Sequence, residues 1–238
     1  MIVKTASAQH NPAAMQQRTV GRLCQTPIDW SSAFHRNALQ RSHRAPAFTL
    51  IELLVVIAII AILIGLLFPA FSAVQNQARR TQAKNDLTQI VNAVNAFYTD
   101  YGKYPIATND NTIGPDNSGL MYTLRADSTN ANGNPNVNNA TNPRVIVFIN
   151  PPYVKNDTAG QRRSGLSPTD GRYYDPWGSP YRMAIDGDYT NTINPNPYTA
   201  NTGAGPSPLN IGVIAWSLGP DQTQGTIFSA SDDVISWQ

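Results

Sequence analysis

The sequence predicts an α+β fold in which one long N-terminal helix packs on a small antiparallel sheet. Two features of the 238-residue chain carry this prediction. An apolar run begins at Phe48 and passes without a break into an amphipathic helical pattern that reaches Tyr98. The second half of the chain then holds short apolar segments between loops rich in Asn, Pro and Gly, a pattern typical of a small sheet.

The predicted helix has two unlike halves. No charged or polar side chain occurs from Leu53 to Phe68, and the stretch from Phe48 to Phe68 would span roughly 30 Å, the thickness of a bilayer core. Further on, apolar residues recur at helical spacing, at Leu87, Ile90, Val91, Val94 and Tyr98. We therefore expect residues 48–72 to form a transmembrane or filament-core helix and residues 73–238 to form an α+β domain.

Two alternatives to a membrane anchor exist for the apolar run. It could be a buried core helix, or the apolar part of an ordinary secretory signal. A secretory signal is cut after its apolar run at a site of small residues, and residues 68–73 offer only a poor version of such a site.

The remaining elements follow from short apolar segments. Leu120–Leu124 predicts a small helix, and Val145–Ile149, Tyr181–Ile185 and Ile211–Ser217 predict strands. Gly102 and Pro105 are typical of the end of the long helix. Segments 106–142 and 190–208 are rich in Asn, and the wider stretches 106–173 and 190–210 are expected to form variable surface loops.

Charge is distributed unevenly along the chain. Residues 1–47 hold six Lys/Arg and one acid, whereas the remainder holds eleven Lys/Arg and fourteen Asp/Glu. A basic segment before an apolar run is expected on the cytoplasmic side of a membrane. Its basic residues are scattered rather than clustered, so no nucleic-acid partner is expected.

The residues after position 47 argue against an enzyme. They contain no His and no Cys, because His10, His35, His43 and Cys24 all precede them. Glu52 is the only Glu. No nucleophile–base pair and no transition-metal cluster can be assembled from this set, and a single Cys excludes an intrachain disulfide.

The segment AFTLIELLVVI, residues 47–57, resembles the prepilin peptidase motif of type IV pilins and type II secretion pseudopilins. The resemblance implies that prepilin peptidase removes residues 1–47 by cutting between Ala47 and Phe48, and that the new terminus is methylated. The family pattern has Gly where this chain has Ala47, and this leader is longer than most.

Glu52 would be the fifth residue of the mature chain. Placing an ionised carboxylate deep in a bilayer costs roughly a few kcal/mol or more. The resemblance implies that Glu52 pairs with the Phe48 amine of a neighbouring subunit during assembly; the alternative is an interfacial side chain that reaches water. Gly65 and Pro69 would let the helix open locally, or would merely kink it.

The octapeptide YDPWGSPY, residues 174–181, resembles a segment of the major pseudopilin of type II secretion. Its pattern predicts a turn leading into a strand, since Pro176 fixes φ, Gly178 frees it and Trp177 can anchor the turn. An unrelated Trp-anchored turn is the alternative. The matching positions are Asp175, Pro176, Trp177, Gly178, Pro180 and Tyr181.

Residues 217–237 resemble the calcium loop of the same pseudopilin, through SLGPD, GT and DDVISW. The resemblance implies a Ca²⁺ ion held by the carboxylates of Asp221, Asp232 and Asp233 and by the Leu218 carbonyl. Oxygen ligands of this kind suit a hard cation. The loop between Asp221 and Asp232 is longer than usual for the family, and a solvated acidic loop is the alternative.

These resemblances imply a structural subunit of a type II secretion pseudopilus. Such a subunit would be a single-pass inner-membrane protein with its C-terminal domain in the periplasm. The implied partners are further copies of the chain in a filament, prepilin peptidase, an inner-membrane assembly platform, a secretion ATPase and minor pseudopilins. The alternative is a type IV or competence-type pilin that forms a surface fibre for adhesion or DNA uptake; the absence of a C-terminal cysteine pair favours the pseudopilin.

Overall fold

One helix dominates the fold. The computed structural model describes residues 48–105 and 111–238, and in it helix α1 runs over Leu50–Tyr101. At 52 residues the helix is roughly 78 Å long. Gly102 ends it with a φ of 67° and donates its N–H to the Tyr98 carbonyl at 2.8 Å. The predicted long helix and its glycine cap are confirmed.

The body contains one short helix and six short strands. Helix α2 is Ser118–Leu124, as predicted within two residues. A four-stranded antiparallel sheet has the order β1-β4-β5-β6, and β2 and β3 form a separate antiparallel pair. Single 3-10 turns cover Val137–Asn139 and Phe228–Ala230. The strands are β1 Asn111–Ile113, β2 Gly165–Leu166, β3 Tyr173–Tyr174, β4 Arg182–Ile185, β5 Val213–Ser217 and β6 Val234–Ile235.

The four-stranded sheet is buried on both faces. On one face Met183 and Val213 pack with the inward side of α1, in a core that includes Leu87 and Phe97. On the other face Ile214 and Trp216 pack with residues of the loop that follows β4, including Tyr198 and Leu209. Strand residues alternate between these two faces, as the pleat requires. All five residues of β5 are therefore buried.

The expectation that residues 190–210 form a surface loop is therefore only partly correct. The Ile193, Tyr198 and Ala204 side chains are each at most 3% exposed and form the cover of the second sheet face. Asn196 is also buried and donates its Nδ2 to the carbonyls of Ala204 and Pro206. The other asparagines of this loop, Asn191, Asn194 and Asn201, are exposed, so the loop covers the sheet on one side and faces solvent on the other.

The first Asn-rich segment is corrected in the same way. Asn117, Asn136 and Asn142 are all fully buried. Asn117 donates to the carbonyls of Tyr173 and Tyr181, at 3.1 and 2.8 Å, and accepts the Tyr173 N–H at 2.9 Å. Side-chain amides thus satisfy backbone groups that no regular ladder reaches.

The prediction of a strand at Val145–Ile149 is wrong. Val145 has a φ of 55°, which is a left-handed conformation. A β-branched residue in a strand does not adopt this conformation. The N–H groups of Phe148 and Ile149 bond to the Leu124 carbonyl at the end of α2 instead of to another strand. Ile149 is nevertheless buried in the core, so the apolar pattern located the contact but not the backbone pairing.

Candidate functional site

The N-terminal half of α1 exposes a continuous apolar surface. All eighteen large apolar side chains from Phe48 to Val74 are between 46% and 88% exposed. This part of the helix is long and apolar enough to cross a membrane, and none of its most apolar window is buried by the rest of the described chain. The alternative of a buried core helix does not agree with this exposure.

This apolar surface is too large to stay in contact with water. Burying one large apolar side chain contributes about 1.5–3 kcal/mol, so eighteen partly exposed ones represent on the order of 20 kcal/mol. That exceeds the typical net stability of a domain, about 5–15 kcal/mol. The helix half must therefore meet lipid, other chains or both.

The predicted assembly residues lie on this half of the helix. Glu52 is exposed in the first turn of α1, where a carboxylate interacts favourably with the helix dipole. The helix is continuous through Gly65 and Pro69, and a Cβ at Gly65 would meet nothing within 4 Å. Packing within the chain therefore does not require glycine at position 65. Ala47 and the rest of the predicted leader lie outside the described residues.

The turn at residues 174–181 is built on one buried carboxylate. Asp175 Oδ1 accepts the N–H groups of Trp177, Gly178 and Ser179 at 2.9, 2.7 and 2.9 Å. Burial raises the pKa of Asp175, although the Ser217 hydroxyl and these N–H groups act in the opposite direction. Gly178 takes a φ of 110°, and Trp177 is buried in the core as its position predicts.

The same carboxylate joins two motifs that are separate in the sequence. Asp175 Oδ2 accepts the Ser217 hydroxyl at 2.6 Å, and Ser217 Oγ in turn accepts the Gly219 N–H at 3.2 Å. Gln222 Nε2 donates to the Trp177 carbonyl at 3.0 Å. The turn therefore supports the start of the C-terminal acidic loop. Sequence reasoning assigned no role to Ser217 or Gln222, and no periodic signal marks either residue.

The C-terminal loop contains two buried carboxylate oxygens without donors. Asp232 Oδ2 accepts the Asp221 N–H at 3.2 Å, and Asp233 Oδ2 accepts the Gly225 N–H at 3.0 Å. The Oδ1 atoms of both Asp232 and Asp233 are buried and have no hydrogen-bond partner. Burial raises the pKa of Asp233, partly offset by the Gly225 N–H.

Two donor-free carboxylate oxygens fit a hard cation, which would supply the missing positive charge. The third predicted carboxylate does not join them. Across residues 48–105 and 111–238, no three Asp, Glu, His or Cys side chains come together as a metal-binding group. Leu218 is buried beside this loop and packs on the second sheet face. The calcium site stays a prediction that rests on Asp232 and Asp233.

A buried carboxylate also links α1 to the sheet. Asp86 is 8% exposed and accepts the Tyr181 hydroxyl at 2.8 Å. Burial raises its pKa. A charged residue on an amphipathic helix is expected to face water, so the burial of Asp86 is something that only the structure reveals. Its neighbour Lys84 donates Nζ to the Ile235 carbonyl at 2.7 Å and to the Gln238 carbonyl, so α1 also holds the last strand.

Comparison with known proteins identifies the N-terminal segment. Residues 43–68 match the family model described as the prokaryotic N-terminal methylation motif. The type IV major pilin protein PilA of Myxococcus xanthus is 31% identical over 115 residues, which cover 48% of this chain and 50% of that pilin. The chain carries this motif and is similar to a type IV pilin over about half of its length. The Myxococcus match spans half the length of its relative.

A second relative is a protein of a secretion system. The type II secretion system core protein G of Aeromonas hydrophila is 23% identical over 154 residues, covering 63% of this chain and 79% of that protein. No solved structure matches the chain. The two relatives are thus a type IV major pilin and a core protein of a type II secretion system, and this chain is similar to both.

Proposed function

We propose that this pilin-like chain is a structural subunit of a type II secretion pseudopilus, a helical filament that drives protein export. The observation that carries the proposal is the apolar surface of α1 from Phe48 to Val74, which the described chain leaves exposed. Lipid covers this surface before assembly, and the same surface of neighbouring copies covers it in the filament. The similarity to the Aeromonas core protein G, over 79% of that protein, supports the secretion branch.

Processing precedes assembly in this proposal. Prepilin peptidase cuts between Ala47 and Phe48 and leaves a charged amine at Phe48. The Glu52 carboxylate of one subunit pairs with the Phe48 amine of the next, because two opposite charges attract strongly where water is scarce. Such a pair fixes the register of addition. The chain adds to the filament from the inner membrane through an assembly platform and a secretion ATPase, and minor pseudopilins join the same filament.

A calcium ion would strengthen the C-terminal loop. The carboxylates of Asp232 and Asp233 would hold it, with Asp221 and the Leu218 carbonyl as further ligands. When bound, the ion supplies positive charge to two carboxylate oxygens that are buried without donors. Because the chain has a single Cys, such an ion would take the place of a disulfide in fixing this loop.

A second candidate is a type IV or competence-type pilin that forms a surface fibre for adhesion or DNA uptake. The higher identity to the Myxococcus major pilin, 31% over 115 residues, supports this alternative. Both candidates use the same exposed helix half. They differ in whether the filament stays in the periplasm or leaves the cell.

Deleting the gene and complementing it separates the two candidates. We expect the deletion strain to retain secreted proteins in its periplasm, and the native chain to restore them to the medium. Electron microscopy of the same cells counts surface fibres. Normal secretion together with loss of surface fibres would replace the pseudopilus by the pilin alternative, and no change in either would overturn both.

A further inference from the structure

Two arginines lie on α1 between its exposed apolar half and the body. Arg79 and Arg80 are both exposed, on a stretch of helix that the body does not cover. Within residues 48–105 and 111–238, neither guanidinium forms a hydrogen bond or an ion pair. Exposed arginines are common on protein surfaces, so exposure alone does not indicate a function. Their position along the helix is the informative observation.

No acidic side chain on this stretch of the helix balances their charge. Asp86 is the only acid between Glu52 and Asp100, and it points into the body to accept the Tyr181 hydroxyl. Lys84, the next cation, donates to the Ile235 carbonyl. Arg80 lines an open groove together with Asp233 of the C-terminal loop but forms no ion pair with it. The helix therefore presents two positive charges, neither of them in an ion pair, at one level just beyond the apolar surface.

Helix geometry places this level near a membrane surface. If Glu52 marks one edge of the bilayer core, the twenty residues from Leu53 to Ser72 span about 30 Å, and the Cα atoms of Arg79 and Arg80 follow about 10–12 Å further on. The headgroup zone adds about 5–8 Å on each side of the core. Side chains on an α-helix tilt toward its N-terminus, which here is back toward the bilayer, and arginine is long enough to bring its guanidinium into the headgroups.

We propose that Arg79 and Arg80 bind the phosphates of anionic phospholipids in the leaflet that faces the body, and so fix the depth of the subunit in the membrane before it assembles. This inference rests on the proposed function, because it requires α1 to cross a bilayer. Guanidinium groups bind phosphate oxygens in a bidentate manner. Assembly must then exchange these lipid contacts for protein contacts, so the anionic lipid content sets how readily a subunit leaves the membrane.

Hydrogen exchange in nanodiscs tests the inference with the native protein. One preparation uses phosphatidylcholine alone and the other an equal mixture with phosphatidylglycerol. We expect the amides of residues 75–82 to exchange more slowly in the mixture, by up to about thirtyfold for two arginines. The double variant Arg79→Gln, Arg80→Gln should lose this difference. The matched control Lys155→Gln, Arg163→Gln removes two exposed basic residues of the body and should keep it.

Three results would overturn the inference. They are equal exchange of residues 75–82 in both lipids for the native protein, equal loss of protection in the control variant, and a lipid difference that high salt leaves unchanged, since screening must weaken a headgroup contact. The amides of residues 53–68 report separately on the proposed function. If they exchange freely in both nanodiscs, α1 does not cross the bilayer and the proposed function fails first.

Discussion

Both halves of helix α1 carry large apolar side chains, but these side chains lie in opposite surroundings. From Phe48 to Val74 the large apolar side chains are exposed, whereas Leu87, Ile90 and Val94 are completely buried against the sheet. Low hydrophobicity does not explain the exposure, since the exposed half is the more apolar of the two. A helix that is apolar on every side exceeds what one small sheet can cover, so its partner must come from outside the chain. The buried half has a single apolar stripe, and the sheet of the same chain covers that stripe.

The largest expected effect separates assembly from folding. Glu52→Ala should still be processed and should leave the body folded, because Glu52 lies far along α1 from the core residues of the sheet. Filament yield should fall to background, since the proposed charge pair with Phe48 is lost. Quantitative blotting of sheared filaments measures the yield, with Gln75→Ala as an exposed control on the same helix. A normal filament yield from Glu52→Ala would rule out the pairing.

One substitution in each half sharpens the comparison. Leu87→Ala removes a completely buried side chain and should lower the free energy of unfolding of the body by about 2–5 kcal/mol. Leu63→Ala, at a side chain 53% exposed, should leave that free energy unchanged. Urea denaturation of the detergent-solubilised protein, followed by tryptophan fluorescence, measures both. Equal effects would mean that the apolar half contributes to the fold of the body.

Calcium removal tests the loop that both donor-free carboxylates share. Adding Ca²⁺ at a hundredfold excess over its Kd should stabilise the native protein by about 2.7 kcal/mol, or about 5–10 °C in Tm. Asp233→Asn should lose this response. In chelator, however, it should melt higher than the native protein, because it removes a buried charge whose Oδ1 has no donor. Asp221→Asn reports whether the third carboxylate takes part. An unchanged native melt in chelator would show a plain acidic loop.

Acid should affect two groups of carboxylates in opposite directions. Burial raises the pKa of Asp86 and Asp233, so their contribution to stability is present at low pH and is lost as the pH rises through their folded pKa. For Asp157, burial alone would raise the pKa, but hydrogen bonds from Ser167, Thr169 and Arg162 lower it to about 2. Its contribution is present above the unfolded pKa of 3.8 and is lost as the pH falls toward about 2.

Urea denaturation in chelator as a function of pH measures both groups. Stability should rise modestly as the pH falls from neutrality toward the unfolded Asp pKa of 3.8, and should fall as the pH drops further toward about 2. Asp157→Asn should flatten the loss between about pH 4 and pH 2. A steady decline from neutral pH downward in the native protein would contradict the raised pKa of the two buried carboxylates.

The smallest expected effect concerns the cleavage site. Ala47→Gly restores the residue that the family motif carries and should leave processing unchanged or make it faster, because both residues are small. Mass spectrometry of the mature N-terminus and the fraction of uncut chain measure the effect. Slower processing of Ala47→Gly would mean that the cut lies at another bond.

Local sequence patterns predicted the long helix correctly, but they predicted poorly which backbone segments bond to one another. Helix α1 and its Gly102 cap follow from apolar spacing and from one residue that tolerates a positive φ. Val145–Ile149 has the composition of a strand but bonds to the Leu124 carbonyl and to Asn142. β propensity describes a half-buried surface, and it does not state which backbone lies alongside.

The asparagines show the same limit for burial. Asn117 and Asn142 are polar and lie in loops, yet both are fully buried because their amides bond to backbone groups that no ladder satisfies. Composition describes each residue in isolation, whereas hydrogen-bond satisfaction depends on neighbours that are far away in the chain.

The order of residues alone settles the helix, its apolar half, the methylation motif and the Trp177 turn, since each depends on neighbours within a few positions. Folding in three dimensions decided that Asp175 bonds to Ser217, that Asp86 is buried, and that one carboxylate oxygen each of Asp232 and Asp233 is buried without a donor. The physical reason is that hydrogen bonds and burial act over a few ångströms of space, and sequence distance measures that space only inside a regular element.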